Sequence, residues 1–107
     1  MITFETVIKE ARKQKKLIAD AFYDLLKEDQ EEELYKSYNV IALFDGEPPY
    51  PIRFFVDSEL ENASYTDPNL KLVTLSTDDF DGVRLSRKQI ITMFEKELKR
   101  FEETLQI

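Results

Sequence analysis

Carboxylates are the most abundant reactive groups in this chain, and they gather in its middle. The run Thr77-Asp78-Asp79-Phe80-Asp81-Gly82 gives them a spacing that invites comparison with a calcium loop. Such a loop draws oxygens from positions one, three, five, seven, nine and twelve, with glycine at six. Setting Gly82 at six places Asp79 at three and Asp81 at five, but also Thr77 at one and Lys88 at twelve. The ion needs carboxylates at both ends, and a lysine at the bidentate position opposes it. The run reads as an acidic turn before a helix, and a hard-cation site through Asp78, Asp79 and Asp81 is the residual alternative. No metal and no cofactor is expected.

Other chemistries are excluded by residue type. The chain has no histidine and no cysteine, which removes Ser-His-Asp and Cys-His nucleophiles and histidine- or thiolate-ligated zinc. It has two glycines, Gly46 and Gly82, too few for a phosphate-cradling loop or a dinucleotide fingerprint. Carboxylate pairs of the glycosidase kind are bound to occur among fourteen acids between residues 28 and 85, so their presence discriminates nothing.

A binding surface is the other kind of site. Lys9, Arg12, Lys13 and Lys16 share one helical face, with Tyr23 at its border. They could meet an acidic partner, although a solvated helix face explains them as well. Glu28-Asp29-Gln30-Glu31-Glu32-Glu33 is an acidic run that suits the start of a short helix. Pro48-Pro49-Tyr50-Pro51 satisfies a polyproline docking pattern, but a rigid hairpin loop accounts for it more simply. Asn62-Ala63-Ser64 matches a glycosylation acceptor in a chain with no visible secretion signal.

The elements that carry these residues follow from periodicity. Phe4, Ile8, Ala11, Ile18, Phe22 and Leu25 recur at spacings of three and four, with Lys15 in a polar slot and Val7 and Leu26 on the flanks. That pattern predicts one long helix ending near Lys27–Glu28. Continuing it would put Asp29, Glu32 and Lys36 at core positions. A second, short helix over 30–37, capped by Asp29 with Glu32, is predicted instead. Strands are predicted at Val40–Phe44, as a central strand, at Ile52–Val56 and at Leu70–Leu75, with a short fourth at Val83–Leu85. Asp45–Pro51 should close a hairpin, and Ser58 with Glu61 could cap one helical turn before Asp67-Pro68-Asn69. Ser86 and Gln89 form a capping box for a last helix, whose stripe is Ile90, Phe94, Leu98, Phe101 and Leu105, with Ile91 and Met93 beside it.

The 107 residues, 42% hydrophobic and 35% charged, suit a single α+β domain spanning 1–107. Its expected parts are a long N-terminal helix, a short second helix, a three- to four-stranded antiparallel sheet and a C-terminal helix. The net charge is −7, and the acids concentrate between residues 28 and 85. That charge repels a phosphate backbone, so nucleic acid is not expected as a partner. No apolar stretch is long enough to cross a bilayer, and a cytoplasmic protein is expected. The favoured function is non-catalytic: binding another protein, or a second copy of itself as a homodimer. A small carboxylate-based or metal-dependent hydrolase is the alternative, and an acidic inhibitor or DNA mimic the third reading.

Overall fold

Two stripes of apolar side chains, one at each end of the chain, must find a common surface to bury. In the computed structural model, which describes residues 3–43, 47–49, 51–58 and 70–105, that surface is one face of a sheet. The order is α1 (Phe4–Lys13), α2 (Lys15–Glu31), β1 (Ser37–Leu43), β2 (Arg53–Ser58), β3 (Leu70–Ser76), a 3₁₀ turn (Thr77–Phe80) and α3 (Arg87–Leu105). The strands lie in the order β2-β1-β3, both pairings antiparallel. The fold is therefore α+β, with two helices before the sheet and one after, as the sequence suggests.

β1 is the central strand, and its apolar run explains why. Side chains alternate between sheet faces, yet Tyr38 through Ala42 are all buried. Tyr38, Val40 and Ala42 join the main core, which holds Val7, Ile8, Ala11, Ile18, Ala19, Phe22 and Leu26 of α1 and α2 and Ile90, Phe94 and Leu98 of α3. Asn39 and Ile41 alternate with them, and the Asn39 Oδ1 accepts from the Thr74 hydroxyl at 2.6 Å. A register shift between Val40 and Ile41 admits Leu72 as an extra residue of β3.

The boundary between the first two helices is not where the stripe suggests. The helix does not end at Lys27–Glu28 but runs to Glu31, and no separate helix spans 30–37. The interruption is the single residue Gln14, so the first helix is the short one and the second the long one. Gln14 has φ −98° and ψ 14°, off the helical basin, and its side-chain amide donates to the Ile52 carbonyl at 3.3 Å. Hydrogen bonds of helical spacing still flank it, Gln14 N to Glu10 O and Ile18 N to Gln14 O, both at 3.0 Å. The break thus falls one residue before the polar slot at Lys15, and both halves stay on the core.

α2 continues through Asp29 because β1 supplies what a buried carboxylate needs. Asp29 does fall at a core position, only 5% exposed, but it caps nothing. Its Oδ2 accepts from the Tyr38 hydroxyl at 2.6 Å. A buried polar group is tolerated when it is hydrogen-bonded, and the partner comes from nine residues away. The helix then ends in a Schellman arrangement, with Glu33 N donating to Gln30 O at 3.2 Å and Leu34 N to Asp29 O at 2.8 Å. This places Glu33 in the left-handed region at φ 56°, where glycine is the usual occupant.

Smaller differences have local causes. Val83–Leu85 is not a strand; Gly82, at φ 76°, turns the chain, and Val83 N donates to Phe80 O at 3.2 Å, closing a turn instead of a ladder. Within the first stripe, Phe4 precedes the buried positions and is 52% exposed, and Leu25 is only half-buried, whereas Val7 and Leu26 are buried. The stripe is rotated toward its expected flank. Ser86 caps α3, its hydroxyl accepting from Gln89 N at 3.2 Å. Ser58 ends β2, and Phe44, the 45–46 turn, Tyr50, residues 59–69 with Glu61 and Asn62-Ala63-Ser64, and the Leu105 side chain lie outside the described residues.

Two stability outcomes follow. Phe22→Ala and Phe94→Ala remove side chains that are 0% exposed. Each should lower the unfolding free energy by about 3–5 kcal/mol in urea titrations. Glu33→Gly should raise it by about 1 kcal/mol, because glycine occupies the left-handed position without steric strain. A loss of stability in that variant would mean the Glu33 side chain contributes more than its backbone strain costs.

Candidate functional site

The basic face is divided by the kink at Gln14. Lys9, Arg12 and Lys13 ride on α1, whereas Lys16 and Tyr23 ride on α2. All four cations are exposed, but two already have partners. Arg12 Nη2 meets Glu102 Oε2 of α3 at 2.7 Å, and Lys13 Nζ lies 3.6 Å from Glu10 Oε1 one turn earlier. Lys9 and Lys16 have no ion-pair partner among the described residues. Lys15, the polar residue in the stripe, pairs with Glu95 of α3 at 2.6 Å. With Arg87–Asp20 at 2.7 Å, these contacts run from α1 and α2 to α3 in antiparallel order. Arg12, and Lys15 beside the face, thus tie helices together, while Lys9, Arg12 and Lys13 line an open cleft of about 570 Å³ in which Glu5, Glu10 and Glu102 offset their charge.

The acidic turn does not gather its oxygens. Thr77 is buried, while Asp78, Asp79 and Asp81 are exposed. The Asp79 Oδ2 is turned back as a cap, accepting from Ser76 N at 2.8 Å and from the Ser76 hydroxyl at 3.4 Å. Among the described residues, no three acidic side chains are grouped to hold a metal ion.

Tyr23 lies with a different set of residues from the one its place on the helix suggests. The Arg87 guanidinium stacks over its ring, 4.2 Å from the centroid, and the Lys27 ammonium lies 5.6 Å away. Cation–π contacts of this kind orient a guanidinium on an aromatic face. Arg87 Nε also donates to Asp20 Oδ1 at 2.7 Å, so the guanidinium is held from two sides. Beside this stack, Tyr23, Lys27, Gln30 and Glu31 of α2 and Val83, Arg84 and Leu85 of the segment before α3 line an open cleft of about 480 Å³. Val83 is 46% exposed and Leu85 half-buried. Lys27 and Arg84 have no ion-pair partner among the described residues.

The start of α3 reinforces this charge. Its first turn has no acidic residue of its own to offset the partial positive charge of the helix N-terminus, and Asp20 of α2, the carboxylate that reaches it, is taken up by Arg87. The cleft is thus a cationic and apolar patch within an acidic chain. Periodicity could find Tyr23 and Lys27, which are one turn apart on α2. It could not find Val83, Arg84, Leu85 and Arg87, about sixty residues away, because only packing of α3 against α2 brings them together.

A second groove, on the side of α2 that meets the sheet, is lined by Leu25, Glu28, Asp29, Glu32, Tyr38 and Asp57 among others. Its innermost carboxylate, Asp29, is already bonded to Tyr38. It can attract a cation, but its geometry is accounted for by the seam between α2 and β1.

If the basic face is scaffold and solvent, Lys9→Ala and Lys16→Ala should each change stability by less than about 0.5 kcal/mol. Arg12→Ala should cost no more than about 1 kcal/mol, the ceiling for an exposed ion pair. Chemical denaturation at low and high salt checks both, since the Arg12 effect should shrink with added salt. No protein-family model matches the chain, and neither a curated protein nor a solved structure is significantly similar to it.

Proposed function

We propose that this chain is a non-catalytic domain that acts by binding another protein, and that the cleft between α2 and residues 83–85 is its docking surface. The observation that carries this reading is the grouping in that cleft of exposed Val83, half-buried Tyr23 and Leu85, and Lys27 and Arg84, two cations with no ion-pair partner among the described residues. Aromatic and apolar side chains beside a charged rim are the composition of protein-binding patches. The segment that carries Val83, Arg84 and Leu85 is anchored at its far end, because Asp20 and Tyr23 hold Arg87 and Ser86 caps α3. A preorganised surface loses less conformational entropy on binding.

The alternatives are a carboxylate-based or metal-dependent hydrolase and an acidic inhibitor or DNA mimic; the groove lined by Glu28, Asp29, Glu32 and Asp57 is the grouping that would serve the hydrolase, but its Asp29 is bonded to Tyr38 and no three acids among the described residues are placed to hold a metal ion. No helix among them is long and apolar enough to cross a membrane.

A photo-crosslinking residue at Val83, compared with one at the exposed Leu17 elsewhere on α2, tests the reading in cells of the protein's source. The expected result is a protein adduct of discrete mass at position 83 and none at 17. An adduct with a second copy of this chain would make the partner a homodimer mate. Equal labelling at both positions, or adducts with nucleic acid alone, would overturn the assignment of this cleft.

A further inference from the structure

The cleft is cationic over a small area and acidic around it. Lys27 and Arg84 line it together with the apolar Val83 and Leu85. Along α2, however, Asp20, Asp24, Glu28 and Glu31 are all exposed. Glu31 lines the cleft itself, and Asp20 is bound to Arg87. A ligand with a long, uniform negative charge would extend from the two cations onto those acids. Like charges brought together there oppose binding, and the chain as a whole carries −7.

The cleft therefore selects for a ligand whose negative charge is confined to one or two groups next to an apolar group. We propose that its occupant is a short acidic–apolar peptide segment of a partner protein. One carboxylate lies between Lys27 and Arg84, and an adjoining apolar side chain rests on Val83, Leu85 and the rim of Tyr23. Arg84 is the specificity-determining residue. It projects from the segment before α3, is exposed, and has no intramolecular anion among the described residues, whereas Arg87 is already held by Asp20 and Tyr23. Arg87 forms part of the platform, and Arg84 and Lys27 remain to meet a ligand carboxylate. A polyanion such as RNA offers the charge without the apolar group and meets the acids of α2.

This inference rests on the reading of the cleft as a docking surface, and its test separates the two. The probe is a short fluorescent peptide of two glutamates alternating with two leucines, otherwise uncharged, followed by anisotropy. It is compared with the same peptide carrying glutamine for glutamate, with polyglutamate lacking leucine, and with a short single-stranded RNA. The glutamate–leucine peptide should bind most tightly, and added salt should weaken it. Arg84→Ala and Lys27→Ala should each weaken it by about fivefold, the size expected for losing one partly exposed ion pair. Val83→Glu should abolish binding, because it places a carboxylate among the apolar side chains. All three positions are at the surface or lining the cleft, and unchanged thermal melts confirm that the variants are folded. Equal binding of the glutamine peptide, or unaltered binding to the Lys27→Ala, Arg84→Ala double variant, would overturn the proposal, as would tighter binding of RNA. If crosslinking at Val83 captures a protein while no acidic peptide binds, the docking surface stands and the acidic–apolar chemistry falls. If neither occurs, both fall.

Discussion

Phe22 of α2 and Phe94 of α3 are fully excluded from solvent, in one cluster with Val40 and Ala42 of the central strand. α2 and α3 run antiparallel to each other, with α2 against β2 and α3 against β3. A sheet with one such helical layer needs all its helices on the same face, and the residues between β3 and α3 must return the chain to that face. The turn at Thr77–Phe80, Gly82 and the Ser86 cap do this within a few residues. Val83, Arg84 and Leu85 are carried to the side of α2 as a consequence. The cleft is a by-product of burying two helical stripes on three strands.

Charge refines an arrangement that apolar burial establishes. Three ion pairs join α1 and α2 to α3, and each is partly exposed. Pairs of this kind contribute little stability singly. Their antiparallel order favours one register of α3 over slipped ones, which is a matter of specificity. The C-terminal end of α2 shows the opposite tendency. Its last turn holds no basic residue, and Glu28, Asp29, Glu31, Glu32 and Glu33 lie where helix carbonyls already concentrate negative charge. The helix nevertheless reaches Glu31, held by the hydrogen bond between Tyr38 and Asp29 and by the two backbone bonds that end it. A tertiary contact here outweighs local preferences of charge and backbone conformation together.

Much of the fold was legible because burial imposes a period. The α+β class, the central position of Val40–Leu43, the antiparallel pairing of the strands, the start of α3 at Ser86 and the core roles of Phe22 and Phe94 all follow from apolar spacing and local capping. The errors share one cause. Asp29 read as a helix boundary because a polar residue in a core stripe is costly unless something pairs with it. Gln14 gives no local signal of a break because its partner, the Ile52 carbonyl, lies across the fold. Val83–Leu85 has strand-like residues but no neighbouring strand among the described residues. Of the candidate binding residues, Tyr23 belongs to the cleft, while Arg12 and Lys13 have charge partners of their own.

The sequence by itself determined which side chains must leave water, and hence the elements and the layer they form, because transfer of apolar surface depends on residue type and period alone. It also determined which chemistries are closed, since absent histidine and cysteine cannot be supplied by folding. Only the tertiary structure decided where α2 ends, which cations are neutralised, and that Arg84 and Val83 lie beside Tyr23 and Lys27. Those outcomes depend on pairs of residues far apart in the chain. Hydrogen bonds and ion pairs are short-ranged and directional, so they exist only once packing has set the distances between helices and sheet.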